Sequence, residues 1–313
     1  MKSTIVIGSR GSKLALTQAE IVRVQLQGFH PELEITVEII KTSGDVNSEP
    51  LSVIGGKGVF TKELEEALVD GRIDLAVHSL KDLPTILPAP LTIAAICKRE
   101  DPRDALVLPS KPGDVSGRSP IDLTVLAGGA VVGTSSPRRL AQLKHLRGDL
   151  VFKDLRGNVD TRLRKLDQGE YDALVLACAG LRRLGLADRI SGALSTDQML
   201  PAVGQGALAL ETRADDGETI AIAGSLDHKF TRLACLAERS LLRSLGGGCL
   251  LPIAAHAVVR DKRIRLNALV CDPQGRRVMR DGDKGPLDEA EALGNNLAAR
   301  LLASGAAELL AED

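Results

Sequence analysis

The sequence predicts an α/β protein built as two α/β lobes followed by a small C-terminal α+β domain. Three observations carry that expectation. Short apolar runs alternate with helix-periodic segments through the first two thirds of the chain. Two stretches far apart in the sequence echo one another. Beyond about residue 223 the pattern changes to one long helix followed by alternating strands. At 313 residues the chain also exceeds the size to which one hydrophobic core usually grows, about 250–300 residues, so two or three domains are expected.

Residues 4–8 read as a strand. A helix follows from Ser12, with Ala15, Ala19, Val22 and Leu26 on one stripe and Gly28 as its stop. Residues 35–40, 73–77 and 91–96 read as further strands, with a helix over 62–70 ending at Gly71. Residues 131–133 form the next strand, which runs into a helix capped by Ser136 with Pro137 in its first position. Asn158 caps a helix carrying Val159, Leu163 and Leu166 on one face. The echo lies in these parts: Ile7-Gly8-Ser9 against Val132-Gly133-Thr134, and Gly71-Arg72-Ile73-Asp74-Leu75-Ala76-Val77 against Gly169-Glu170-Tyr171-Asp172-Ala173-Leu174-Val175. Two such lobes would set strand ends and helix N-termini around a shared cleft.

Residues 98–120 and 195–206, rich in Pro, Gly, Asp and Arg, read as crossings between lobes. A long helix over about 230–245 then runs into Gly246-Gly247-Gly248. Two strands follow, 253–259 and 263–270, joined tightly at Asp261-Lys262, and a last helix repeats Leu293, Leu297 and Leu301.

Composition narrows the function. Forty Lys and Arg balance 41 Asp and Glu, so the net charge of −1 gives no global reason to expect nucleic acid or an anionic membrane as partner. With no Trp, one Tyr and four Phe, platforms for stacking bases are scarce. The N-terminal apolar run is too short for a signal peptide, and nothing approaches a membrane span of about 18 apolar residues, so a cytoplasmic enzyme is expected. Five cysteines without a C-x-x-C pair or a neighbouring His fit neither a disulfide framework nor a structural zinc site.

Four of those cysteines differ from the fifth. Cys97, Cys178 and Cys235 lie in apolar patterns where buried, inert thiols are usual, and Cys271 closes a strand at a turn and fits either role. Cys249 follows three glycines, which free the backbone and let a thiol project into a cleft; a hinge with an incidental Cys is the alternative. Arginines gather at strand-to-helix corners: Arg10 beside Ser12, Arg138 and Arg139 after Thr134 and Ser136, Arg156 and Arg162 around Gly157-Asn158, and Arg183 after the strand ending near Ala177. Helix N-termini and guanidinium forks both suit carboxylates, and their repetition predicts a ligand with several carboxylates or phosphates. Any one arginine alone would read as solvated surface. Asp82 ends a buried strand and could act as acid, base or cation stabiliser, or else pair with Lys81; His78 reads as a partly buried structural residue. Gly55-Gly56-Lys57-Gly58 lacks the P-loop spacing, and the run from Gly128 to Gly133 has Thr134 in place of the required Lys.

Read in order, Gly8-Ser9-Arg10-Gly11-Ser12-Lys13-Leu14-Ala15-Leu16, Gly56-Lys57-Gly58-Val59-Phe60-Thr61-Lys62-Glu63-Leu64 and Ala76-Val77-His78-Ser79-Leu80-Lys81-Asp82-Leu83-Pro84 begin a set of motifs. Glu100-Asp101-Pro102-Arg103-Asp104-Ala105, Val132-Gly133-Thr134-Ser135-Ser136-Pro137-Arg138-Arg139 and Leu155-Arg156-Gly157-Asn158-Val159-Asp160-Thr161-Arg162 continue it. Pro201-Ala202-Val203-Gly204-Gln205-Gly206 and Gly247-Gly248-Cys249 complete it. With these eight motifs the chain resembles the porphobilinogen deaminase (hydroxymethylbilane synthase) family over essentially its whole length.

The resemblance implies a dipyrromethane cofactor held by a thioether to Cys249. Four porphobilinogen units would be added head to tail, each losing ammonia, before water releases linear hydroxymethylbilane. It implies that Asp82 is the catalytic carboxylate. Arg10, Lys81, Arg138, Arg139, Arg156, Arg162 and Arg183 would bind cofactor or substrate, assisted by Ser12, Thr134 and Ser136 and by Lys57 from its own loop. No metal, nucleotide or nucleic acid is implied, and a monomer is expected. The two-lobe pattern is also similar to periplasmic-type binding proteins. The expected fold is therefore two periplasmic-binding-protein-like lobes, 1–98 with 203–222 and 103–198, plus an α+β domain over 226–313. Two departures stand out: Val53 where relatives often carry Lys, and Leu250 where a polar residue is common. The competing readings are a bilobed anion-binding protein, and a cysteine hydrolase in which His256 or His228 activates Cys249.

Overall fold

The computed structural model describes residues 2–42, 61–110, 122–247 and 251–311. The chain divides into two compact units, Met1–Arg99 with Ala207–Arg232, and Glu100–Gly206 with Leu233–Asp313.

The first unit opens with β1 (Thr4–Ser9), α1 (Lys13–Phe29) and β2 (Glu34–Ile39). Ser12 caps α1 by accepting from the Ala15 N–H at 3.3 Å. The helix buries Ala19, Val22 and Leu26 completely, and burial of the Val and Leu contributes about 1.5–3 kcal/mol each. Gly28 does not stop this helix, contrary to expectation. A single glycine costs only about 1 kcal/mol in a helix, and the turn continues through Phe29 to a cap at His30, before Pro31. Next come α2 (Lys62–Val69), β3 (Leu75–Ser79), a single 3-10 turn over Leu80–Asp82, and β4 (Leu91–Ile96).

The second unit begins with β5 (Asp104–Val107), a fully buried strand inside a segment expected to be only a crossing. It continues with β6 (Val131–Gly133), α3 (Pro137–Leu146), β7 (Val151–Lys153), α4 (Val159–Asp167), β8 (Ala173–Ala177), α5 (Cys178–Arg183) and β9 (Gly192–Ala193). The chain then returns to the first unit as β10 (Leu208–Arg213) and α6 (Gly217–Gly224). A long helix, α7 (Lys229–Ser244), leads into the C-terminal domain. There β11 (Ile253–Arg260), β12 (Arg263–Cys271) and β13 (Val278–Pro286) form an antiparallel sheet backed by α8 (Ala290–Ala303) and α9 (Ala306–Ala311). Asp261 and Lys262 both take positive φ, 51° and 56°, as a two-residue hairpin turn requires. Three strands stand where the pattern led us to expect two.

The two five-stranded sheets have one topology. The first runs β2-β1-β3-β10-β4 and the second β7-β6-β8-β5-β9; in each, the first three strands are parallel and the fourth is antiparallel to both its neighbours. The sequence echo falls on equivalent places. Gly8 pairs with Ala76, and Gly133 with Leu174. Asp74 accepts from the Val6 N–H at 2.9 Å and donates its own N–H to the Val6 carbonyl; Asp172 does the same with Val131, its carboxylate accepting at 2.7 Å. Each glycine leaves room for a side chain two residues before the neighbouring strand: an added Cβ would stand 2.2 Å from Ile73 Cδ1 at Gly8, and 2.8 Å from Tyr171 Cδ1 at Gly133.

Candidate active site

In the first unit β1 and β3 run parallel as neighbours, so their C-terminal ends lie at one end of the sheet. Arg10 and Ser12 follow β1, and Lys81 and Asp82 follow β3. Asp82 is exposed and Lys81 half-buried in the 3-10 turn, which the Leu80 N–H pins to the Ala207 carbonyl at 3.0 Å. Just before this turn, His78 is buried with its Nε2 2.8 Å from Glu211 Oε2, a structural placement as expected of it.

In the second unit the same sheet edge carries the other residues. Thr134 and Ser136 follow β6, Arg156 follows β7, and Arg183 lies in α5 after β8. Thr134 is buried and its hydroxyl accepts from the Ser136 N–H at 3.3 Å, while Ser136 caps α3 by accepting from the Arg139 N–H at 3.4 Å. Ser135 ties this corner to the next, accepting from the Leu155 N–H at 2.9 Å. Asn158 caps α4 through the Thr161 N–H at 3.0 Å. Arg156 donates to Asp154 at 2.6 Å, Arg162 to the Gly157 carbonyl at 2.7 Å and Arg183 to the Gly206 carbonyl at 2.6 Å.

Arg138 and Arg139 depart from the solvent-facing cations that strand-end arginines suggest. They are only 5% and 7% exposed, and both grip Asp104, which is fully buried at the start of β5. Arg138 also donates to the Leu200 carbonyl and Arg139 to the Val175 carbonyl. Burial pushes the Asp104 carboxyl up, but the two guanidinium charges, with hydrogen bonds from Arg138 and Gln205, outweigh it and hold the group well below the usual carboxylate range. Sequence reasoning placed Asp104 and Gln205 in motifs but gave neither a role. The signal was present: an aspartate opening the apolar run Ala105-Leu106-Val107 needs a buried cation.

Cys249 and Lys57 lie outside the described residues, as do Val53 and Leu250. The four described cysteines are all buried, and burial pushes the Cys178 and Cys271 thiols up to about 12. Of the two histidines considered as a base, His228 has Nδ1 2.8 Å from the Thr231 hydroxyl, and His256 sits opposite Asn267 in the β11–β12 pair. Among the described residues no group of three or more His, Cys, Asp or Glu is arranged to hold a metal, and no helix is long and apolar enough to cross a membrane.

The chain is similar to known proteins over nearly its whole length. Porphobilinogen deaminases of Chromobacterium violaceum and Gloeobacter violaceus are each 50% identical to the chain. The first aligns over 98% of this chain and 97% of its own, the second over 99% and 94%. That of Roseiflexus sp. is 49% identical over 99% of this chain and 100% of its own. Among solved structures, the methionine-binding protein MetQ overlaps 72% of this chain and 89% of its own at 14% identity and a TM-score of 0.43. The family model for the porphobilinogen deaminase dipyrromethane cofactor-binding domain matches residues 5–221 and that for the C-terminal domain matches residues 232–303, so the chain belongs to the porphobilinogen deaminase family.

Proposed function

We propose that the chain joins four porphobilinogen molecules head to tail, with loss of ammonia, into linear hydroxymethylbilane, working from a dipyrromethane held by a thioether to Cys249. The observation that carries this reading is the repeated strand-end chemistry: hydroxyls and guanidinium or ammonium groups follow β1, β3, β6, β7 and β8 at the C-terminal ends of the parallel strands of both sheets. Each pyrrole carries an acetate and a propionate, so the donor set fits a carboxylate-rich ligand. Arg10, Lys81, Arg138, Arg139, Arg156, Arg162 and Arg183 hold those carboxylates, with Ser12, Thr134, Ser136 and Lys57 assisting. The dipyrromethane supplies, when bound, the pyrrole carbon onto which the first unit is joined.

Asp82 acts on the substrate's pyrrole N–H. Bond formation between two pyrroles places positive charge on ring nitrogen, and a carboxylate that accepts that N–H opposes the charge and moves the proton. Its position in a short turn pinned to the Ala207 carbonyl fixes the carboxylate's starting point, while its exposure leaves it open to substrate. We place the enzyme in the cytoplasm as a monomer with porphobilinogen as its partner, as membership of the family suggests, and with neither nucleic acid nor membrane, on the charge balance and apolar pattern of its sequence. We divide the chain into three domains, 1–98 with 203–222, 103–198, and 226–313, the last carrying Cys249.

The intact mass of the purified protein, with the mass of its tryptic peptide containing Cys249, tests the attachment. An excess of two linked pyrroles on that peptide is expected. Cys249→Ser should fold without carrying the group, and Asp82→Ala should carry it while losing turnover by about a hundredfold or more. An active Cys249→Ser protein, or an unmodified alkylatable Cys249 from a porphyrin-competent host, would overturn the reading.

A further inference from the structure

Asp104 collects more donors than a simple ion pair needs. Its Oδ2 accepts from Arg138 Nη1 at 2.8 Å. Its Oδ1 accepts from Arg138 Nη2 at 3.2 Å, Arg139 Nε at 3.0 Å, Arg139 Nη2 at 2.8 Å and Gln205 Nε2 at 2.9 Å. Gln205 is held in turn, since Nε2 also donates to the Pro102 carbonyl at 2.7 Å. Both segments that precede and follow the second lobe therefore meet at this carboxylate.

The charges do not balance. Among the described residues two buried guanidiniums face one buried carboxylate, so the cluster carries one net positive charge in a place where an uncompensated charge is costly. Arg138 Nε is buried with no hydrogen-bond partner among the described residues. One arginine would neutralise Asp104, and the second is surplus to that charge. A surplus cation in the first turn of the helix that Ser136 caps is what an anionic ligand would complete.

We propose that Asp104, oriented by Gln205, is the positioning residue that aims Arg138 and Arg139 at the carboxylates of the bound pyrrole chain. The proposal rests on the reading that these arginines take carboxylates. Asp104 does not touch substrate; it fixes the planes of two guanidiniums before the ligand arrives, so that their forks are not spent on solvent or on each other.

The test compares Asp104→Asn, Asp104→Glu, Gln205→Met and Arg139→Lys as holoenzymes, with rates normalised to the holo fraction read from intact mass and with thermal melts alongside. Asp104→Asn is expected to lower kcat/KM for porphobilinogen about tenfold or more, with Asp104→Glu recovering part of the loss because it restores the charge. Gln205→Met keeps the charge and is expected to lower kcat/KM about threefold while melting within a few degrees of the parent, so it decides the matter if Asp104→Asn does not fold. A merely structural role would move the melt and leave normalised kcat/KM alone. Asp104→Asn and Gln205→Met both within about twofold of the parent, with Arg139→Lys impaired, would overturn the proposal alone. Arg139→Lys silent as well would overturn the carboxylate reading beneath it.

Discussion

Gly133 to Ala tests how far the likeness of the two lobes extends into packing. The new Cβ would stand 2.6 Å from Leu174 Cδ2, 2.8 Å from Tyr171 Cδ1 and 3.0 Å from Tyr171 Cε1. The tyrosine ring is rigid, and its far end is tethered by a hydroxyl that donates to the Asp154 carbonyl at 2.7 Å. It cannot swing aside without losing that bond. At the equivalent Gly8 the nearest obstacle is closer, 2.2 Å, but it is the terminal methyl of Ile73, which turns about a single bond. Overpacking costs about 1–3 kcal/mol, and a glycine-to-alanine change returns about 0.4–1 kcal/mol through the unfolded chain. Gly133→Ala should therefore destabilise the second unit by about 1–2 kcal/mol, a fall in melting temperature of roughly 2–8 °C for a unit of that size. Gly8→Ala should cost less. Calorimetric melts of both variants make the comparison, and Tyr171→Ile, which imports the first lobe's residue, should relieve most of the Gly133→Ala cost in a double-mutant cycle. Equal losses at Gly8 and Gly133, or no coupling to Tyr171, would refute the reasoning.

Two further outcomes follow from titrating groups. Cys178 and Cys271, with thiols pushed up to about 12, should stay unmodified when the native protein meets iodoacetamide near pH 8, and react once urea exposes them; peptide mass spectrometry reads the difference. Asp216 is raised by burial, but hydrogen bonds from Lys2, from the backbone and side chain of Thr219 and from Arg213 hold it below its ordinary 3.8. A depressed carboxylate stabilises the fold above its unfolded pKa and loses that effect as pH falls through the folded one. The stability deficit of Asp216→Asn should therefore be level above about pH 5 and shrink below 3.8 in urea titrations.

Much of the fold was legible because local chemistry and global fold agree at particular residues. Ser136 and Asn158 each cap the helix they were read to cap, Ser12 caps the helix read to start there, and the Asp261-Lys262 pair turns the hairpin it was read to turn. The strands that escaped notice escaped for identifiable reasons. β13 is a polar edge strand, Val-Met-Arg-Asp-Gly-Asp-Lys-Gly-Pro, with little apolar alternation to betray it. β10 hides Glu211 and Thr212 in full burial, a placement that makes sense only once His78 and the Asp74 carbonyl are known to face them. β5 and β7 are too short for a period to show. At the site, strand-end position was readable, but not that Arg138 and Arg139 are shared with Asp104. That pairing joins residues more than thirty positions apart and depends on an antiparallel strand that no local pattern announced.

The reciprocal placing of β5 and β10 has a consequence for synthesis on the ribosome. Every strand of the second sheet lies between residues 104 and 193, so that sheet can close as soon as this stretch has emerged. The first sheet cannot. Among the described residues its strand β4 pairs only with β10, which ends at Arg213, so the lobe that begins the chain must wait with β3 unpaired on one side until about two thirds of the protein exists. The nascent chain thus finishes its lobes in the reverse of the order in which it starts them, and a chain arrested near residue 206 would hold a complete second sheet beside an unfinished first.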